Sequence, residues 1–96
     1  SYTFGDLKII PEKFEVKIGE KNVNLTITQF KLLLALVNAE GRVLSRDYIL
    51  ENVWKWDKDI YDRTIDVHIK KLRELLGEYG NCIKTVRGIG YKWECD

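Results

Sequence analysis

Ninety-six residues, 45% hydrophobic and 32% charged, are enough for one globular domain with a single modest core. No apolar run approaches the roughly 18 residues of a membrane span, and nothing reads as a signal peptide. The formal net charge is only +1, so attraction for a polyanion has to come from where the charge lies.

The chain opens with short β-rich runs, TFGDLKII, KFEVKI and KNVNLTI, separated by turn signals at Gly5-Asp6, Pro11-Glu12 and Gly19-Glu20. Phe14, Val16 and Ile18 alternate with Glu15 and Lys17, which predicts an antiparallel meander with one buried and one wet face. Thr28 is the expected N-cap of a helix over TQFKLLLALVNAEG, with Phe30, Leu33, Leu34 and Val37 inward and Gly41 past its end. Ser45 caps a second helix, RDYILENVW, whose apolar positions are Ile49, Leu50 and Val53. In the polar-aromatic segment that follows, Trp54 suits core anchoring, while Trp56 is harder to bury and is a candidate partner contact.

A third helix runs from about Asp62 to Leu76 and has two different sides. At about 100° per residue, Ile65, Ile69, Leu72 and Leu76 form a narrow buried stripe. Arg63, Thr64, Val67, His68, Lys70 and Lys71 project from the other side. Lysine and arginine neutralise phosphates, and small apolar groups such as those of Thr64 and Val67 can touch thymine methyls in a major groove. From Arg63 to Arg87, six Lys and Arg stand against three Asp and Glu, so positive charge is concentrated in this part of the chain. An ordinary surface helix with clustered charge would look the same from this segment alone. Asp66, among these cations, is expected to pair within the helix with Arg63 or Arg73.

NCIKTVRGIGYKWEC then reads as a hairpin turning at Gly88-Ile89, with Gly88 and Gly90 as positive-φ turn residues. The expected fold is α+β: a winged helix-turn-helix with an N-terminal antiparallel β-sheet, a three-helix bundle and a C-terminal β-hairpin wing, one domain over residues 1–96. In that layout the third helix enters the major groove and the wing tip, with Arg87, reaches a neighbouring minor groove.

Three blocks, LTITQFKLLLALVNAEGRVLSRDYILENVW, RTIDVHIKKLR and IKTVRGIGYKW, resemble in order and spacing the output domains of OmpR/PhoB-family response regulators. That resemblance implies that Arg63, Val67, His68 and Lys71 face DNA, that Arg73 meets backbone phosphate, and that Thr85 and Arg87 belong to the wing. It also implies that Trp54 and the following Lys55, Trp56 and Asp57 form a loop that contacts RNA polymerase. The implied partners are double-stranded DNA at direct-repeat sites, a second copy of the domain on that DNA, and a receiver domain in a longer, cytoplasmic protein. The absence of methionine is likewise expected of a fragment. Gln29 stands where the family usually has Glu, and Leu75 where Lys is frequent; neither touches the proposed DNA face.

Other functions are weaker on the same residues. No nucleophile–base set or paired carboxylates converge, so no enzyme and no cofactor are expected. His68 has no catalytic partner in view. A winged helix serving only as a protein-interaction module would leave the basic helix unexplained. An effector domain of this fold from a non-phosphorelay activator is the alternative within DNA binding. Cys82 and Cys95 lack companions at metal-ligand spacing, so no metal is expected. Counting outward from a two-residue turn places them opposite each other, near enough for a disulfide. A three-residue turn would misalign them by that count. Free thiols are expected in a reducing cytoplasm, with slow oxidation after purification and little effect on DNA binding.

Overall fold

Alternating side chains set the first layer of the computed structural model, which describes residues 1–54 and 62–96, with backbone alone over 62–64. Strands β1 (Tyr2–Phe4), β2 (Leu7–Ile10), β3 (Glu15–Ile18) and β4 (Lys21–Asn22) form an antiparallel sheet in chain order. Leu7 pairs with Ile18 and Ile9 with Val16, so the apolar positions line up on one face. Leu7, Ile9 and Val16 are buried there. Phe14 departs from the expected alternation. Pro11 starts a 3-10 turn that Phe14 closes in the left-handed region at φ 52°, and the strand begins only at Glu15. Its ring is 64% exposed and lies against Phe30, with centroids 5.2 Å apart.

Helix α1 (Ile27–Asn38) starts at Thr26 rather than Thr28. The Thr26 hydroxyl accepts from the Gln29 backbone N–H at 3.1 Å, and the Gln29 Oε1 accepts from the Thr26 N–H at 2.9 Å. This reciprocal capping box gives Gln29 a buried structural role that its neutral amide fulfils. Phe30, Leu33 and Val37 are buried as expected, but Leu32 and Leu36 are buried too and Leu34 only partly. The burial is broad because α1 is central, touching α2 (Arg46–Val53), α3 (Asp62–Leu75) and the C-terminal sheet. Ser45 caps α2 as expected, accepting from the Tyr48 N–H at 3.1 Å. The stripe of Ile65, Ile69, Leu72 and Leu76 is at most 1% exposed.

A second sheet combines distant segments in the order β5 (Leu44–Ser45), β7 (Gly90–Trp93), β6 (Ile83–Val86). β5 was not evident in the sequence, because two residues carry no periodicity. A Cβ at Gly90 would lie 1.9 Å from the Leu44 carbonyl oxygen, so this glycine serves close strand approach. The positive φ expected there belongs to Gly88 alone, at 78°. Val86 pairs with Gly90 and Thr85 with Tyr91, one residue out of the predicted register, so the turn holds three residues.

Cys82 and Cys95 are nevertheless joined in a disulfide, their Cα atoms 4.4 Å apart. The sequence count tied their meeting to the ladder register. Cys82 instead ends a 3-10 turn (Gly77–Cys82), and Cys95 lies beyond the last paired residue, Trp93. Outside the ladder, the Glu94 N–H donates to the Cys82 carbonyl at 2.7 Å and draws the two ends together.

Candidate nucleic-acid interface

Helix α3 forms the floor of the core with one face and presents the other to solvent. Val67 is 67% exposed, with Lys70 and Lys71 exposed on the same side and Thr85 and Arg87 exposed on the wing. Lys70, Lys71 and Arg87 make no hydrogen bond or ion pair among the described residues, so their charge is available to a polyanion. The expected contacts of Arg63 and Thr64, and of Lys55, Trp56 and Asp57, lie outside the described side chains.

Two residues that the resemblance places at partner contacts have inward roles. Trp54, which also suited core anchoring, is only 7% exposed, because it closes α2 over the core. Its ring packs against His68, centroids 5.1 Å apart, leaving His68 half-buried at the edge of the basic face. Arg73, expected on phosphate, directs its guanidinium into the protein. Nε and Nη2 donate to the Ile83 carbonyl at 3.2 and 2.7 Å, and Nη2 donates to the Thr85 hydroxyl at 2.9 Å. Arg73 thereby ties the last turns of α3 to β6.

Asp66 provides a second tie, and between helices rather than along one. Its Oδ1 accepts from Arg46 Nη2 of α2 at 2.8 Å and from the Tyr91 hydroxyl of β7. The Tyr91 hydroxyl and Arg46 together hold the Asp66 carboxyl below the usual carboxylate range, against a smaller opposing effect of burial. Burial, then the adjacent Asp66 carboxylate, pushes the Tyr91 phenol up. Both guanidinium groups also lie over the Tyr91 ring, at 5.3 Å for Arg46 and 5.9 Å for Arg73. Arg46 and Tyr91 were not singled out from sequence. They stand 20 and 25 residues from Asp66, and no local pattern joins them.

Among the described residues no group of His, Cys, Asp or Glu could hold a metal ion, and no helix is long and apolar enough to cross a membrane. The geometry is that of a two-helix unit, α2 and α3, flanked by a hairpin that contacts α3 through Arg73 and Asp66. A winged helix-turn-helix is defined by this arrangement.

Comparison with known proteins narrows the class. Residues 19–93 match the family model described as "Transcriptional regulatory protein, C terminal", and the chain belongs to that family, in its OmpR/PhoB type. It is 44% identical over 93 residues to the alkaline phosphatase synthesis transcriptional regulatory protein PhoP of Bacillus subtilis, covering 94% of this chain and 39% of PhoP. The Klebsiella pneumoniae RstA DNA-binding domain, solved in complex with the RstA box, is 36% identical with a TM-score of 0.83, covering 97% of this chain and 95% of that one. The Thermotoga maritima response regulator DrrB, an OmpR/PhoB homolog, gives a TM-score of 0.87 at 34% identity, covering 98% of this chain and 44% of DrrB. The chain thus spans about two fifths of the curated relatives it matches.

Proposed function

We propose that this domain binds double-stranded DNA sequence-specifically, as the output module of a two-component response regulator. The observation that carries the reading is the division of α3: a stripe at most 1% exposed on one side, and on the other an exposed Val67 beside two unpaired lysines. Phosphate contacts from Lys70, Lys71 and Arg87 supply affinity, and Val67, with Arg63, Thr64 and His68, supplies base discrimination. Thr85 and Arg87 act from the wing on the adjacent minor groove. The RstA DNA-binding domain, of the same fold at 36% identity, is solved in complex with the RstA box, which supports DNA binding.

Around that core we place a cytoplasmic regulator whose receiver domain controls pairing of two copies on a direct-repeat site. The segment holding Lys55, Trp56 and Asp57 faces RNA polymerase. No catalytic step is assigned. Selection of bound duplexes from a random pool, followed by shift assays across salt, tests the reading. An enriched motif with an affinity that falls steeply with salt supports it. Binding that is absent at low salt, or that shows no sequence preference, overturns it.

A further inference from the structure

The disulfide closes residues 82–95 into a ring that contains the whole wing. β6 is an edge strand with four paired residues, and such a ribbon is marginal unless something else holds it. On one side Arg73 holds it, through the Ile83 carbonyl and Thr85. At its base the remaining ties are the Glu94–Cys82 backbone bond and an exposed Lys84–Asp96 ion pair at 3.2 Å. Exposed ion pairs contribute little. Beside the burial of Ile83 and Trp93 in the core, the covalent link is therefore the constraint at the base of the wing that a thiol can remove.

We propose that Cys82 and Cys95 are a reversible thiol–disulfide site, taking low-molecular-weight disulfides and thiols as its redox partners, and that its state sets how firmly the wing is held for DNA. The DNA part of this rests on the function proposed above, and it replaces the expectation of little effect on DNA binding because the disulfide encloses the whole wing. The two sulfurs are not equivalent: Cys95 is exposed, whereas Cys82 is 7% exposed. A small cavity of about 260 Å³ opens beside both, bounded by Tyr79 and Asn81. Access favours Cys95 as the attacking thiol. Its thiolate attacks one sulfur of the small disulfide, forming a mixed disulfide and releasing one small thiolate. The Cys82 thiolate then attacks the Cys95 sulfur and releases the second. Two protein thiols are oxidised to one disulfide, the small disulfide is reduced to two thiols, and the two protons pass to the leaving thiolates. In reduction, a small thiolate attacks the Cys95 sulfur and the Cys82 thiolate leaves; a second small thiolate then attacks the small-molecule sulfur of the mixed disulfide, regenerating the small disulfide and releasing the Cys95 thiolate.

Once the link is open, residues 94–96 and the base of β6 are held by the ladder, Arg73, the burial of Ile83, the Glu94–Cys82 backbone bond and the weak Lys84–Asp96 pair. More order must then be imposed on the wing when it meets DNA, which lowers affinity without altering α3. The test equilibrates the 96-residue chain in stepped ratios of oxidised to reduced glutathione, quenches it by alkylation and counts thiols by mass. Melting temperature and affinity for a selected duplex with A·T-rich flanks are read in parallel. The expected result is one two-thiol transition. Across it the oxidised form melts about 10 °C or more higher and binds about 3–10-fold tighter. Cys82→Ser should accumulate a single glutathione adduct on Cys95, and Cys95→Ser should accumulate much less on Cys82. In Arg87→Ala, the affinity difference between the two redox forms should shrink. Equal melting temperatures in the two forms, adducts of equal extent in the two serine variants, or a redox-independent affinity would overturn the proposal. Should neither form bind DNA, the functional reading fails instead, and the thiol counts and melting temperatures still judge the redox site.

Discussion

The two sheets share one apolar core, but among the described residues only the second is also tied to α3 by polar contacts. The N-terminal sheet joins strands adjacent in sequence, and its contribution to the core is apolar: Leu7 and Ile9 are fully buried and Val16 nearly so. The C-terminal sheet joins β5, from before α2, to a hairpin some 40 residues later; it buries Leu44, Ile83, Tyr91 and Trp93, and polar ties also fix it against α3, Arg73 to β6 and Asp66 to Tyr91, while the disulfide closes the base of the hairpin. Apolar packing is non-directional and tolerates small displacement, whereas bidentate and charge-assisted hydrogen bonds fix orientation. Both sheets accordingly supply stability, and the polar ties of the second also set the position of the wing relative to the α3 face proposed to meet DNA.

Substitutions in each sheet should separate stability from binding. Ile9→Ala removes a fully buried side chain from the first sheet and should cost about 2–5 kcal/mol in denaturant unfolding. The fraction that remains folded should bind DNA as before. Arg73→Ala should cost less, about 1–3 kcal/mol, since it removes charge-assisted hydrogen bonds to one carbonyl and one hydroxyl. It should, however, weaken DNA binding several-fold in the folded protein. An Ile9→Ala protein with damaged binding and an Arg73→Ala protein without it would reverse the assigned roles.

Thr26→Ala tests the frame away from both the wing and α3. Loss of the capping box should cost about 1 kcal/mol in unfolding and leave the DNA salt slope unchanged.

The smallest effect concerns pH. Asp66 has a lowered pKa in the folded chain, so its contribution is present above the unfolded carboxylate value near 3.8 and is lost as pH falls through the lower folded value. Tyr91 has a raised pKa, so its contribution is present below the unfolded value near 10 and is lost as pH rises through the folded one. Asp66→Asn should flatten the acid limb of stability below about pH 4. Because Asp66 is half-exposed, the change at neutral pH should stay within about 1 kcal/mol. Chemical denaturation at stepped pH measures both limbs.

Sequence periodicity exposed what repeats along one element. The stripe from Ile65 to Leu76, the Ser45 cap and the exposed basic side of α3 could be read because each depends on residues within a few positions. What depends on distant partners could not. β5 has two residues and is defined by Gly90. Arg73 carried the expectation of a phosphate contact from the family pattern, yet only the folded position of β6 shows that its guanidinium turns inward. Asp66 had cations nearby in sequence, but its partners come from α2 and β7. The wing register failed by one residue because Gly88-Ile89 suggested a two-residue turn, and a three-residue turn fits the same glycine pattern. Phe14 matched the strand alternation but was displaced by the turn that Pro11 begins.

Among the wing residues, Arg87 distinguishes insertion from simple neutralisation. Arg87→Ala should weaken binding more on A·T-rich flanks than on G·C-rich ones, because narrow minor grooves concentrate negative potential. Equal loss on both flanks would make it a phosphate contact.

The central claim is that DNA meets the exposed side of α3 and the wing, and not the N-terminal sheet. Titrating a selected duplex into isotope-labelled protein and following backbone amide resonances tests it most directly. Large shifts are expected at Val67, His68, Lys70, Lys71, Thr85 and Arg87, with Thr3, Lys8 and Lys17 of the N-terminal sheet unmoved. Shifts concentrated on that sheet, with α3 and the wing unchanged, would contradict it.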